Sequence, residues 1–184
     1  MEEIVNRVAK SPLLSVDLEE YLDCGEKVIF DLKDILYQGM ILREKDLRAF
    51  IKNCDWSEYS GKNVGLYCSV DAIIPTWAYM LLVSKLKDHA NVVVYGDKDA
   101  IEKAMIEKAI EKCMKENDFD EKKVVIKGCD NIQNREYAYT LITEKLLSKV
   151  NSLMYGEPCS TVPIFKRKKM TFQSSVKDKN PTNV

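Results

Sequence analysis

Residues 62–97 read KNVGLYCSVDAIIPTWAYMLLVSKLKDHANVVVYGD, and this stretch decides most of the predicted fold. Residues 122–157 align with it without a gap at an offset of sixty positions. Identical residues stand at ten of the thirty-six aligned positions. In the first stretch these are Lys62, Val64, Ala78, Tyr79, Leu81, Lys85, Leu86, Asn91, Tyr95 and Gly96. We therefore predict that the chain contains a duplicated unit.

Each copy of the unit has the pattern of a strand, a turn with a cysteine, a helix and a second strand. Apolar runs outside the unit add one more strand near residues 27–32 and helices after residue 43 and over 98–115. Strands that alternate with helices through short connections form parallel sheets with right-handed crossovers. The sequence thus predicts a three-layer α/β fold, with a mostly parallel sheet of about five strands and helices on both faces.

The helix of the first copy is predicted in more detail. Asp71 is a suitable N-cap, and Pro75 would then lie in the first turn, where its missing N–H costs little. Residues 77–83 are apolar on nearly every side, which predicts a helix buried on most faces.

The length of 184 residues fits one domain, which we place at residues 1–170. Residues 171–184 have no apolar periodicity and are predicted to form a flexible tail.

The basic run KRKK at 166–169 either contacts phosphate or is a solvated chain end. The formal net charge of −1 favours the second interpretation.

Composition argues against several classes of protein, including nucleic-acid-binding proteins. Lysine and arginine number 28 against 29 acidic residues, so the basic surplus of a nucleic-acid-binding protein is absent. No uncharged run approaches the roughly 18 residues of a membrane span. The acidic start MEEIVNRVAK does not resemble a secretory signal. We therefore predict a cytoplasmic protein without membrane association, whose six cysteines are free thiols or metal ligands.

Candidate functional residues follow the predicted strands. Ligands of open parallel sheets bind at the carboxyl ends of the strands. Five side chains of suitable chemistry come at these ends: Cys68, Asp97, Cys129, Glu157 and Cys159. Half of the cysteines are thus predicted at one edge of the sheet.

Cys68 and Cys129 stand at nearly equivalent positions, each just ahead of a predicted helix. A helix N-terminus lowers the pKa of a nearby thiol and favours the thiolate, which is the ligand of zinc and of iron–sulfur clusters. The spacings match no local CxxC motif, so a shared site would depend wholly on the fold. The hypothesis is a metal site of Cys68, Cys129 and Cys159 that takes an iron–sulfur cluster or zinc. The alternatives are fewer functional thiols, or cysteines that only pack as small apolar residues.

Other residues have structural explanations beside functional ones. Asp71, Asp97 and Glu157 either shape the site or cap helices and turns. His89 is the single histidine and comes near a predicted helix end, which argues against a catalytic triad. Neither GxGxxG nor GxxxxGK[ST] is present, which disfavours nucleotide binding by a glycine-rich loop.

Residues 68–82, CSVDAIIPTWAYMLL, and 154–169, MYGEPCSTVPIFKRKK, carry a resemblance to a known family. Over residues 1–169 the chain resembles a bacterial family named domain of unknown function 2480. The family pattern includes cysteines that match Cys68, Cys129 and Cys159, and not the other three. Its members are often encoded beside genes of the SUF iron–sulfur assembly machinery in Bacteroidetes. The resemblance therefore implies iron–sulfur assembly proteins as partners.

The leading hypothesis is a cytoplasmic accessory protein of iron–sulfur cluster biogenesis. Its cysteines would bind a metal ion or cluster, or handle persulfide, with Asp71 and Glu157 shaping the site. The first alternative is a non-catalytic adaptor that presents a surface to a partner. The second is a thiol enzyme with Cys68 as nucleophile, so the sequence leaves open whether the protein is an enzyme.

Overall fold

The computed structural model describes residues 13–128 and 131–168, which form seven strands and four α-helices. The strands are β1 (Leu13–Val16), β2 (Lys27–Asp31), β3 (Asn63–Tyr67), β4 (Val92–Tyr95), β5 (Lys123–Ile126), β6 (Ser152–Glu157) and β7 (Ser160–Lys166). The helices are α1 (Glu44–Asn53), α2 (Thr76–Leu86), α3 (Lys98–Glu116) and α4 (Arg135–Leu147).

The strands form two sheets. The first sheet has the order β2-β3-β4 and is parallel throughout. The second has the order β1-β5-β6-β7, in which only β7 is antiparallel to its neighbour. The predicted α/β class with mostly parallel strands is confirmed, and the five predicted strands correspond to β2 through β6. The structure adds β1 and β7 and divides the strands between two sheets.

The two additional strands carry weak sequence signals for identifiable reasons. Strand β7 contains Pro163, which lacks the N–H of a ladder and is tolerated because β7 pairs on one side only, with β6. Strand β1 is only four residues long, and its partner β5 is distant in the chain, with Leu13 opposite Lys123. A local pattern cannot reveal such a pairing.

Helices cover both faces of the first sheet. Consecutive residues of a strand face opposite ways. Phe30 of β2 packs in one cluster with Leu47 of α1 and Leu82 of α2. Its neighbour Ile29 packs on the other face against Ile101 of α3. The first sheet is therefore the middle layer of three.

Helix α3 is shared by the two sheets. Its first half buries Ile101 and Met105 against the first sheet. Its second half places Ile106 and Ile110 in the core of the second sheet, with Val124 of β5. Together the two halves of α3 join the cores that lie on either side of it.

The segments aligned at an offset of sixty positions form the same elements in the same order. Segment β3-α2-β4 corresponds to β5-α4-β6. Equivalent backbone hydrogen bonds close both segments: the Asn91 N–H donates to the Lys62 carbonyl, and the Asn151 N–H donates to the Lys122 carbonyl, each at 2.8 Å. An origin by duplication stays a prediction.

The predicted start of α2 is wrong. The helix begins at Thr76 with Pro75 at the N-cap position, and Asp71 does not cap it. A residue before proline avoids the helical region, which keeps Ile74 extended. Just before it, the Ile73 N–H donates to the Met40 carbonyl at 2.9 Å. Because of both constraints α2 begins only at Thr76, and several residues separate it from Cys68.

Helix α2 is also less buried than its sequence predicts. Ala78, Leu82 and Leu86 are fully buried, but Met80 is 69% exposed and Trp77 is 37% exposed. The first sheet and its neighbours therefore cover only part of this apolar helix.

Two further predictions concern residues that the structure does not describe. The domain boundary at residue 170 and the tail at 171–184 lie outside the described residues and stay predictions.

Among the helices of the described part, none has the length and apolar character needed to cross a membrane.

Candidate functional site

The Cys68 thiol lines a cavity of 540 Å³ at the carboxyl edge of the first sheet. Cys68 directly follows β3, and Tyr95 is the last residue of β4. Asp71 comes from the loop after Cys68, while Thr76 and Tyr79 come from the start of α2. The cavity thus stands where parallel sheets usually bind ligands.

The loop that carries Cys68 is held by the neighbouring strand. Asp31 is the last residue of β2, and its Oδ1 accepts a hydrogen bond from the Ser69 N–H at 3.1 Å. The half-buried Cys68 thiol donates to the Val70 carbonyl at 3.3 Å. Partial burial raises the pKa of Asp31, but hydrogen bonds from Ser69 and Lys33 outweigh it and lower that pKa to about 2. An ionised carboxylate therefore positions the thiol loop at neutral pH.

Two tyrosines, Tyr79 and Tyr95, also line the cavity. The rings of Tyr79 and Tyr95 meet edge to face with their centroids 5.2 Å apart. Burial raises the pKa of Tyr79, and the neighbouring Tyr95 and Cys68 raise it further. The Tyr79 hydroxyl therefore stays protonated at neutral pH and can donate a hydrogen bond. The cavity combines a nucleophilic sulfur with a phenol donor.

The comparison with known families agrees with the resemblance carried by the sequence blocks at residues 68–82 and 154–169. A family model described as a protein of unknown function (DUF2480) matches residues 2–167. The chain belongs to this family. No curated protein and no solved structure matches the chain. Membership of the DUF2480 family thus confirms the resemblance, and the family description assigns no activity.

The second sheet of this DUF2480 protein has an equivalent pair of tyrosines. Tyr139 and Tyr155 also meet edge to face at 5.2 Å. Gly128 takes the position that Cys68 has in the first copy, and a Cβ placed on it would lie 2.9 Å from the Tyr155 hydroxyl. The phenol therefore crowds this position in the second sheet, whereas a thiol faces the cavity in the first.

The structure places the predicted site residues at different positions. The structure brings Cys68 and Asp71 to one cavity. Asp97 caps α3 by accepting from the N–H groups of Asp99 and Ala100 at 3.1 and 3.2 Å, so its capping role is confirmed. Glu157 is the exposed last residue of β6.

Of the two remaining predicted thiols, the structure describes only Cys159, which belongs to the other sheet. Cys159 is exposed in the turn between β6 and β7. Cys129 lies outside the described residues, so the predicted three-cysteine site stays a prediction. Within the described ranges, no group of three or more His, Cys, Asp or Glu side chains could hold a metal ion. The donors described do not fit zinc or a cluster, both of which need several ligands.

Sequence reasoning missed the tyrosine pair as a part of the site. The apolar run at residues 77–83 predicts only that Tyr79 belongs to a mostly buried helix, and Tyr95 falls in a predicted strand without a functional signal of its own. A signal was present, because both tyrosines recur sixty positions later as Tyr139 and Tyr155. Their contact across α2 and β4 depends on tertiary packing.

Proposed function

We propose that this protein is an accessory protein of iron–sulfur cluster biogenesis that carries sulfur as a persulfide on Cys68. The observation that carries the proposal is the Cys68 thiol in the wall of a 540 Å³ cavity. One reachable thiol is sufficient for persulfide transfer, whereas a cluster needs several ligands. The proposed compartment is the cytoplasm, where thiols are kept reduced.

The proposed reaction is a thiol–persulfide exchange. Cys68 loses its proton to solvent, and the thiolate attacks the outer sulfur of a donor persulfide. A new S–S bond forms at Cys68, the S–S bond of the donor breaks, and the donor leaves as a thiolate. Delivery to an acceptor thiolate repeats the exchange in the opposite direction. No net oxidation or reduction occurs, so the transfer needs no further reactant.

The walls of the cavity support this chemistry. Val70 and Ile74 are among its lining residues and give the cavity an apolar part beside the thiol. The protonated Tyr79 hydroxyl, with its raised pKa, donates a hydrogen bond to the anionic terminal sulfur. Asp31 holds the loop by accepting a hydrogen bond from the Ser69 N–H.

Reaction with a low-molecular-weight persulfide tests the proposal. Glutathione persulfide is expected to add the mass of one sulfur atom to the wild-type protein, and peptide mapping should place it on Cys68. Cys68→Ser should lose this addition. Cys159→Ser is the matched control, because it removes an exposed thiol outside the cavity. Unchanged transfer to Cys68→Ser, or equal loss in both variants, would contradict the proposal.

A cluster-binding form of the proposal uses Cys68, Cys129 and Cys159 together. Anaerobic reconstitution with iron and sulfide compares the wild type with the variant in which all three are serine. A cluster carried by these cysteines gives visible absorbance and bound iron in the wild type alone. Equal iron and sulfide uptake by the two proteins would exclude it.

A second candidate function, the non-catalytic adaptor, is favoured by exposed apolar side chains on α2 and on the loops that precede it. Met40 is 61% exposed, and Ile73 and Met80 are each 69% exposed. Apolar surface of this kind is typical of protein-interaction sites. Iron–sulfur assembly proteins are the proposed partners. An adaptor is expected to bind its partner equally well with Cys68→Ser, whereas a sulfur carrier is expected to lose persulfide uptake from a donor protein in that variant.

A further inference from the structure

A strongly basic cavity lies at the amino-terminal edge of the second sheet, away from the thiol site. Its volume is 860 Å³, and its described lining consists of Lys123, Asn151, Lys166, Arg167 and Lys168. The lining therefore has four cationic side chains, one amide and no carboxylate. Such a concentration of positive charge is unexpected in a chain whose net charge is −1.

Strand register brings these cations together. Lys123 begins β5 and Lys166 ends β7, and both lie opposite Ser152 of β6, which separates them. The Arg167 N–H donates to the Asn151 carbonyl at 2.8 Å. The chain that follows β7 is thereby fixed against the sheet.

The first sheet shows what this edge can bind. Asn63 and Asn91 stand there at the positions that correspond to Lys123 and Asn151. Asn63 Nδ2 donates to Asp23 Oδ1 at 3.2 Å. Asn91 Nδ2 donates to Asp23 Oδ1 and Oδ2 at 3.1 and 3.0 Å. This edge of the first sheet therefore holds an internal anion on two side-chain amides.

At the aligned positions the second sheet has one amide, Asn151, and has the cation Lys123 where the first sheet has Asn63. In the described part of the chain, the Asn151 side chain has no hydrogen-bond partner, and Lys123, Lys166 and Lys168 form no ion pair. Arg167 contacts Glu121 and donates to the Ser148 carbonyl at 3.0 Å, so one of the four charges is partly neutralised. No carboxylate of the lining takes the place that Asp23 has in the first sheet.

We propose that this cavity binds a small molecule that carries two or more phosphate groups, with phosphate oxygens in the place of the Asp23 carboxylate. Three unpaired lysines exceed what a single carboxylate neutralises, and the volume is within the range of small-molecule sites. Lysine ammonium groups and side-chain amides are common phosphate donors. This proposal is independent of sulfur transfer at Cys68.

Calorimetric titration with inorganic pyrophosphate, ADP and adenosine tests the proposal. Pyrophosphate and ADP are expected to bind with similar affinity, weakened by added salt, and adenosine is expected not to bind. Lys123→Gln and Lys166→Gln should each weaken binding about fivefold, as expected for an exposed ion pair. Lys115→Gln, an exposed lysine on α3, is the matched control and should bind like the wild type.

Three results would overturn the proposal. The first is adenosine binding as tight as that of ADP. The second is an equal loss of pyrophosphate and ADP affinity in Lys115→Gln and Lys123→Gln, which would indicate non-specific attraction. The third is binding to vesicles that contain phosphoinositides without any binding of pyrophosphate or ADP, because the occupant would then be a membrane surface. Thermal unfolding of each variant confirms that the fold is intact.

Discussion

At the scale of the residue, Asp31 connects the end of β2 to the thiol loop. Its carboxylate accepts from the Lys33 N–H at 3.1 Å, where it caps the 3₁₀ helix Leu32–Ile35, and from the Ser69 N–H at 3.1 Å. One side chain thus satisfies donors from two segments. A neutral or shorter side chain would leave the loop beside Cys68 less restrained.

We predict that Asp31→Ala lowers the free energy of unfolding at neutral pH by about 1–2 kcal/mol, as for the loss of a cap. The folded-state pKa of about 2 lies below the ordinary value of 3.8. The stabilisation is therefore fully present above pH 3.8 and is lost as the pH falls towards 2. Urea unfolding of wild type and variant over this range should show the difference shrinking with acidity.

The control for this prediction is Asp88→Ala, which removes an exposed carboxylate without a described hydrogen bond. It is expected to change stability by less than about 0.5 kcal/mol. A stability difference between wild type and Asp31→Ala that stays constant down to pH 2 would show that the carboxylate charge is unimportant.

At the scale of the element, α2 and α4 occupy equivalent places in the two segments and differ in their exposed faces. The exposed positions of α2 carry Trp77 and Met80, whereas the aligned positions of α4 carry Tyr137 and Thr140. Their buried positions match, with Ala78 and Ala138 both fully buried. The inner face of each helix is set by the core, and the outer face of α2 is more apolar than the aligned positions of α4.

We predict that Met80→Thr, which gives α2 the residue of α4, changes the free energy of unfolding by less than about 0.5 kcal/mol. The reason is that Met80 is 69% exposed and contributes little to the core. Leu82→Ala, on the buried face, should cost about 2–5 kcal/mol. Chemical unfolding of both variants checks this. A large loss of stability in Met80→Thr would mean that its side chain is covered in solution.

At the scale of the whole molecule, α3 couples the two sheets. Ile101 and Ile110 lie on the same helix, and each is fully buried in the core of a different sheet. Both tryptophans, Trp56 and Trp77, belong to the first half of the chain. Tryptophan fluorescence therefore reports on one half, while far-UV circular dichroism reports on both.

We predict that Ile110→Ala destabilises the protein by about 2–5 kcal/mol and shifts both signals to the same lower Tm. The substitution is in the core of the second sheet, yet the tryptophans of the first should report it because α3 is shared. A fluorescence midpoint that stays at the wild-type temperature while the circular dichroism midpoint falls would show that the halves unfold separately.

Much of the fold follows from the sequence by itself. The apolar run of β4 and the apolar spacing of α3 are local patterns, and each identifies its element without reference to the rest of the chain. The matches at an offset of sixty also identify the equivalence of the two segments. The position of Cys68 after a strand, and hence at a ligand-binding edge, follows in the same way.

Only the tertiary structure decides which strands pair and which side chains meet. Strand β5 pairs with β1 instead of continuing the first sheet, so Cys68 follows a strand of one sheet and the turn of Cys159 belongs to the other. The contact of Tyr79 with Tyr95 and the bond from Ser69 to Asp31 likewise join residues that are distant along the chain. Periodicity reports which face of an element is apolar, but long-range pairing depends on the packing of every element at once.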